Sequence, residues 1–402
     1  MSSIFSFPPL LFVTFHDTYG ISYTLLGTLV LSNFCTQIII DVIFTLFSKH
    51  FNIDKVIKIM PMITSLGLCV YAFSPIIFVG HPFIGLLIGT VIFSISAGLS
   101  EVLLSPVVAA IPSENPQKDM SILHSLYAFG VFTVVIISTL FFKIFGNENW
   151  KYLALFWALL PIITSILFIL SPIPNIKKSE SPQKHSTNRK MGIGLAFCGA
   201  CIFFGSCSEN VMSNWISGYM ENALNIDKAL GDILGPAMFA VLLGFARVYY
   251  AKYGKNISAV LLFGMIGAAF CYLTAGLVSN TVVALIACSM TGLFTSMLWP
   301  GVLILMEEKM PGIGVAAYAL MASCGDLGAS VAPQLMGIVV DKVSELNIAL
   351  EFGNKLGITP EQIGMKIGMI FSAIFSIIGS VAVVLCIKYF KIQKKVDKYE
   401  NI

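Results

Sequence analysis

Long apolar runs separated by short polar breaks recur along the whole chain. Most runs hold about 20 residues, the length that an α-helix needs to cross a hydrocarbon core of about 30 Å. The pattern predicts twelve membrane-spanning helices, six in each half of the chain. We place them at residues 4–15, 24–48, 56–79, 83–111, 120–145, 150–171, 191–219, 228–252, 257–278, 281–306, 313–340 and 364–388.

The first predicted span is shorter than the others. Only fifteen residues precede His16 and Asp17, and a helix of that length reaches about 22 Å. Pro8 and Pro9 also remove amide donors from it. We expect either a truncated first helix or a true start upstream of Met1, and favour the second.

The two halves of the chain repeat a spacing of glycine and proline. Gly98 precedes Pro106 by eight residues, and Gly292 precedes Pro300 by the same interval. Such internal similarity between membrane helices is typical of transporters that arose by duplication. The polar stretch between the sixth and seventh spans divides the halves. We predict an N-terminal six-helix bundle at 1–171, a cytoplasmic linker at 172–190, a C-terminal six-helix bundle at 191–390 and a cytoplasmic tail at 391–402.

The composition excludes a soluble domain. The chain has 402 residues, of which 57% are hydrophobic and 11% charged, and its mean hydropathy is +0.87. Soluble domains carry about 25% charged residues. With both termini in the cytoplasm, 18 of the 24 lysines and arginines fall on the cytoplasmic side, as the positive-inside rule requires. The sequence therefore predicts an all-α polytopic protein of the cell membrane.

Acidic residues inside the predicted spans are candidates for proton coupling, because each is costly in hydrocarbon. Glu101, Glu209 and Asp326 fall near the middle of their spans, and we expect no lysine or arginine at comparable depth. His124 comes close in depth to Glu101, and histidine titrates near neutrality. The alternatives are a static Glu101–His124 bond between two helices and a structural hydrogen bond at Asp326.

Polar and aromatic residues in the spans are candidates for solute contact. In the second span, Asn33, Gln37 and Asp41 recur at four-residue intervals and share one helix face. Asn33 and Gln37 could bind a polyhydroxylated solute, with interhelical bonding as the alternative; we expect Asp41 only to fasten helices. The seventh span, with Gly205 and several Ser and Asn residues, predicts a bent or opened helix. The remaining candidates for solute contact are Asn214, Trp215, Trp299 and, against a packing role, Tyr127.

Several chemistries have no support in the sequence. It contains no GxxxxGK[ST] loop, no HExxH and no credible metal cluster or catalytic nucleophile constellation. We therefore expect no enzyme activity, no cofactor, no bound metal and no nucleic-acid partner.

Five stretches of the chain resemble the major facilitator superfamily, and within it the fucose permease-type sugar–proton symporters. They are Pro9–Phe15, Gly98–Pro106, Met120–His124 with Gly130, Glu209–Trp215 and Gly325–Gly328. The resemblance implies two pseudo-symmetric six-helix bundles, a site at their interface and alternating access. It also implies a coupling acid on the fourth helix, where Glu101 stands. A second family acid lies on the first helix, and we expect its counterpart either to precede Met1 or to be missing.

These observations predict a secondary active transporter that moves a small solute with protons. We expect the solute to be a sugar and the protein to act as a monomer in the lipid bilayer. One alternative is proton-driven efflux of an amphipathic compound, since 31 phenylalanines and 17 methionines could line an adaptable pocket. Another is a non-transporting sensor or a defective carrier, motivated by the short first span.

Overall fold

The computed structural model describes residues 1–47, 50–112, 116–174, 189–311 and 315–400. In these ranges the chain forms helices and no β-strand, which confirms the all-α prediction. Nine helical segments of the described part are long and apolar enough to cross a membrane, and the polytopic prediction is therefore confirmed as well. The count of twelve spans stays a prediction. Residues 175–188 of the predicted linker lie outside the described ranges.

The helices follow the predicted spans to within a few residues at most boundaries. The first half holds α1 (Ser2–Ser6), a 3-10 turn (Pro8–Leu11), α2 (Phe12–Tyr19), α3 (Tyr23–Phe47), α4 (Ile53–Ile77), α5 (Pro82–Ala110), α6 (Pro116–Phe145) and α7 (Trp150–Leu170). The second half holds α8 (Arg189–Gly218), a π-helical turn (Tyr219–Ala223), α9 (Lys228–Asp232), a second π-helical turn (Ile233–Ala237), α10 (Met238–Tyr253), α11 (Ile257–Leu277), α12 (Thr281–Thr295), α13 (Pro300–Lys309), α14 (Val315–Ser344), α15 (Asn347–Leu356) and α16 (Pro360–Glu400).

The chain divides into two compact units. Unit 1 comprises Met1–Lys178 and Ser217–Ala237, and unit 2 comprises Ser179–Ile216 and Met238–Ile402. The units therefore differ from the two sequence halves at one segment. Ser217–Ala237 belongs to the second half of the sequence but packs as part of unit 1.

Close approaches of backbone at glycines hold unit 1 together. A Cβ atom on Gly67 of α4 would lie 2.5 Å from the amide nitrogen of Phe93 on α5, so no larger residue fits this crossing. Small residues at such crossings are typical of membrane helices. An aromatic cluster then joins α2, α4 and α7: the ring centroid of Phe15 lies 5.9 Å from that of Tyr71 and 4.9 Å from that of Trp150.

Glycines also set the crossings of unit 2. A Cβ atom on Gly292 of α12 or on Gly328 of α14 would lie within 2.5 Å of a backbone carbonyl oxygen, that of Phe239 on α10 or of Phe203 on α8 respectively. These two contacts join α12 to α10 and α14 to α8.

The predicted opening of the seventh span is wrong, because α8 is continuously helical through its Ser and Asn residues up to Gly218. Its polar side chains bond to carbonyl oxygens one turn earlier. Ser208 Oγ donates to the Phe204 oxygen at 2.9 Å, and Asn214 Nδ2 donates to the Asn210 oxygen at 2.8 Å. These side chains are therefore satisfied within the helix, which has no need to open. The interruptions lie elsewhere, at the two π-helical turns and at 296–299 between α12 and α13.

Candidate functional site

Two carboxyl groups meet between α3 and α5 in unit 1. A carboxylate oxygen of Asp41 lies within 4.8 Å of one of Glu101. Asp41 Oδ1 is buried and has no hydrogen-bond partner among the described residues, while Glu101 is exposed. Two negative charges this close repel each other. The pair is therefore suited to holding a proton or another cation between its oxygens.

The crossing of α3 and α5 explains why this pair forms. A Cβ atom on Gly98, one turn before Glu101, would lie 3.2 Å from the carbonyl oxygen of Gln37, one turn before Asp41. The absence of a side chain at Gly98 lets the two helices approach at this level. Asp41 was expected only to fasten helices; in the structure it faces the leading coupling candidate. The side chain of His124, the predicted partner of Glu101, lies outside the described part of the chain.

The amides of Asn33 and Gln37 form a buried network between the same helices. Ser94 Oγ on α5 donates to Asn33 Oδ1 at 2.6 Å, and Gln37 Nε2 donates to the same oxygen at 3.2 Å. The side chain of Gln37 is 1% exposed. These contacts include a hydrogen bond between two helices, which is the alternative to solute contact that the sequence left open. Contact of either amide with solute stays a prediction.

Glu209 has a cationic partner, which corrects the expectation that no lysine or arginine lies at its depth. Arg247 Nη2 lies 3.6 Å from Glu209 Oε1, with side chains that are 34% and 21% exposed. Arg247 lies six residues before the end of α10 at Tyr253, and its guanidinium reaches Glu209 on α8.

A break between α12 and α13 supplies the second partner of Arg247. α12 ends at Thr295 and α13 begins at Pro300, so the break lies inside a single apolar segment, Thr281–Lys309, that the sequence predicted as one span over 281–306. Proline has no amide hydrogen, so the Ser296 carbonyl lacks the donor that residue 300 would otherwise provide. Arg247 Nε donates to that carbonyl at 2.9 Å. The arginine thus joins α8, α10 and the break.

Asp326 lies in α14 and is 4% exposed. The glycines on either side of it have the close-packing role expected from the sequence. Gly325 packs against the ring of Trp299, and Gly328 packs against the backbone of α8 at Phe203. Trp299 is half-buried in the turn before α13. Whether Asp326 exchanges protons and whether Trp299 contacts solute stay predictions.

The three remaining candidates for solute contact each form contacts with other residues of the protein. Trp215 is fully buried, and its Nε1 donates to the carbonyl oxygen of Pro333 at 3.1 Å. Asn214 is 8% exposed and bonds within α8. Tyr127 is exposed; its ring lies 6.3 Å from that of Phe5, and its carbonyl accepts a hydrogen bond from Ser2. Solute contact by these three residues stays a prediction.

The sequence analysis missed a buried charge cluster in Ser217–Ala237. Lys228 Nζ lies 3.1 Å from Glu221 Oε2 and 3.4 Å from Asp232 Oδ2. Ser217 Oγ donates to Asp232 Oδ1 at 2.5 Å. The Lys228 and Asp232 side chains are 11% and 1% exposed. The spacing of these two residues, one helical turn apart, is the signal that could have indicated the pair.

The same segment is joined to the start of α3. Asn222 Nδ2 donates to the hydroxyl of Tyr23 at 3.2 Å, and the Tyr23 ring stacks on that of His16 at a centroid distance of 4.4 Å. Tyr23 is 1% exposed. The Asn222–Tyr23 hydrogen bond thus ties the segment to α3, while its charged residues pair within the segment itself.

The sequence profile of the Major Facilitator Superfamily matches residues 1–333. The chain belongs to the major facilitator superfamily. Solved structures of the superfamily fold agree. A bacterial homolog of the human lysosomal transporter Spinster matches with a TM-score of 0.76 at 12% identity, over 96% of this chain and 94% of that one. A D-xylose-proton symporter matches with a TM-score of 0.72 at 16% identity, over 93% and 92%.

The resemblance to fucose permease-type proteins is also confirmed at the level of fold. The E. coli fucose:proton symporter matches with a TM-score of 0.54 at 12% identity, over 94% of this chain and 96% of that one. No curated protein matches the sequence. Membership of the major facilitator superfamily makes this protein a multi-pass membrane transporter, and the polar groups described above lie in its helices.

Proposed function

We propose that the protein takes up a small polar solute of the sugar class together with protons. The observation that carries the proposal is the Asp41–Glu101 pair, two carboxyl groups within 4.8 Å of each other on spanning helices. A proton bound between them removes one negative charge from the membrane interior. The names of two structural neighbours, a D-xylose-proton symporter and a fucose:proton symporter, support the same class of solute and ion.

The pair would couple proton binding to reorientation by its charge. With both oxygens ionised, moving the pair through a region without water costs desolvation energy. With a proton bound, that cost falls and the carrier can reorient by alternating access. Asp41 Oδ1 is buried and has no hydrogen-bond partner among the described residues, so it can accept a proton held between the two carboxyl groups. Glu209, Asp326 and His124 are proposed as further groups on the proton path.

The remaining features of the proposal follow from the sequence. Residues 1–171 and 191–390 form the two bundles, with the linker 172–190 and both termini in the cytoplasm and the protein in the cell membrane as a monomer. Asn33, Gln37, Tyr127, Asn214, Trp215 and Trp299 are the proposed solute contacts.

The proposal is tested by solute-driven proton movement in proteoliposomes, with a panel of sugars, sugar acids, amino acids and nucleosides. We expect external alkalinisation with one solute class, lost in Glu101→Gln and Asp41→Asn. Asp54→Asn is the matched control, because Asp54 is an exposed partner of Lys58 outside the site. Repeating the assay with a sodium gradient separates the two ions. Wild-type proton uptake by Glu101→Gln would contradict the proposal, as would drug-driven proton movement in the efflux direction alone.

A further inference from the structure

Arg247 has an unusual place in this chain. It is one of two arginines among 24 lysines and arginines, and it lies in a segment long and apolar enough to span the membrane. Apart from Arg189, every other lysine or arginine position in the chain is a lysine. Arginine differs from lysine in its planar fork of donors, which matches a carboxylate at two points.

The guanidinium of Arg247 is held in one orientation, and only some of its N–H donors have acceptors. The bond from Nε to the Ser296 carbonyl, at 2.9 Å, sets the plane of the guanidinium. Its Nη2 lies 3.6 Å from Glu209 Oε1, beyond the usual range of a direct hydrogen bond. Among the described residues, no other acceptor lies within hydrogen-bond distance of the two terminal nitrogens. The terminal nitrogens therefore remain able to bind a further acceptor.

Both charged groups are accessible. The side chains of Arg247 and Glu209 are 34% and 21% exposed, and a guanidinium open to hydrocarbon would be very costly. The exposed part of the pair therefore faces water or a solute. A loose, accessible ion pair is readily exchanged. A second carboxylate can replace Glu209 beside Arg247 when Glu209 takes up a proton, which keeps one negative charge against the one guanidinium.

We propose that Arg247 determines specificity for a monoanionic solute, a small polyhydroxylated carboxylate of the sugar-acid type. The solute carboxylate binds the terminal nitrogens of Arg247 in place of Glu209, while Nε stays on the Ser296 carbonyl. This inference rests on the proposed function and narrows its substrate class from sugars to sugar acids.

The test compares galacturonate, its methyl ester and galactose as ligands of the purified wild-type protein, by equilibrium binding in detergent. We expect galacturonate to bind about 10- to 100-fold more tightly than the ester, as loss of a hydrogen-bonded charge predicts. Because the ester keeps the shape and removes the charge, this comparison needs no variant. Equal affinity for acid and ester, or binding of galactose alone, would overturn the inference.

Variants then assign the preference to Arg247. We expect Arg247→Gln to abolish it and Arg247→Lys to retain only part, because lysine keeps the charge without the fork. Lys252→Gln removes a charge from the exposed end of the same helix and should bind as wild type does. A preference retained in a folded Arg247→Gln protein would refute the assignment.

The two proposals fail differently. If neutral sugars drive proton uptake and acids do not, the symport proposal stands and the role of Arg247 is wrong. If galacturonate binds with the expected preference but no solute moves protons, Arg247 recognises an anion and proton coupling is wrong.

Discussion

Arg247 donates a hydrogen bond from Nε to the carbonyl oxygen of Ser296 at 2.9 Å. Ser296 lies four residues, about one helical turn, before Pro300. In an unbroken helix the amide of residue 300 would bond to that carbonyl, but proline has no amide hydrogen. The break between α12 and α13 thus provides the acceptor that orients the guanidinium toward Glu209. The break between α12 and α13 therefore positions a charged side chain that belongs to a third helix, α10.

Pro300→Ala should disturb this arrangement without unfolding the protein. Alanine supplies the missing amide, so α12 and α13 can join and the Ser296 carbonyl gains a competing donor. We expect stability to stay close to that of the wild type, because Pro300 is the first residue of α13, a position where proline is tolerated. Solute transport below saturation should fall about tenfold, the cost of one hydrogen bond to a charged group. Transport assays and melting temperatures in detergent measure the two effects.

Pro161→Ala is the control, since Pro161 lies inside α7 in unit 1. It should leave transport unchanged. Wild-type transport by Pro300→Ala would show that the break has no part in positioning Arg247.

Asp41 and Glu101 should behave as one unit in a double-mutant cycle. If the two carboxyl groups share a proton, Asp41→Asn or Glu101→Gln alone removes coupling, and the double variant loses little more. The measurement is proton accumulation per solute in proteoliposomes, made for each single variant and for the double variant. Losses that multiply would mean that the two residues act separately.

Lys228 should be needed for stability. Lys228→Met leaves Glu221 and Asp232 as buried carboxylates without a cation, and breaking such a cluster costs about 3–5 kcal/mol. We expect a clear drop in melting temperature, partly restored when Asp232→Asn is added.

Lys342→Met offers a matched comparison, because Lys342 pairs with Glu345 at an exposed position. A surface pair contributes about 0–1 kcal/mol, so its loss should change the melting temperature little. Equal effects of the two lysine variants would mean that the buried cluster contributes no more than a surface pair.

Trp215→Phe separates packing from solute contact. The variant keeps a ring in the buried position and removes the Nε1 hydrogen bond to the Pro333 carbonyl. We expect a loss of about 1 kcal/mol in stability and, because Trp215 is a proposed solute contact, a raised KM for solute. Reduced stability with an unchanged KM would leave Trp215 with a packing role only.

Most of the fold could be predicted from the chain alone. Each apolar run must form its backbone hydrogen bonds internally when it lies in lipid, so run length and polar breaks determine where helices begin and end. α4 and α11, predicted at 56–79 and 257–278, are found at Ile53–Ile77 and Ile257–Leu277. The helix interruptions were harder to locate. The Ser and Asn side chains of α8 form hydrogen bonds within that helix, so α8 stays continuous, whereas the break between α12 and α13 ends at Pro300.

The sequence by itself determined that this is a helical membrane transporter with acids inside its spans, because hydropathy and charge are properties of each residue. Only the tertiary structure decided which of those acids have partners. Asp41 meets Glu101 where Gly98 lets α3 and α5 approach, and Glu209 of α8 meets Arg247 of α10. The depth of a residue follows from its place in a span, but its neighbours depend on how the helices cross and rotate, and a local hydrophobic pattern does not contain that information.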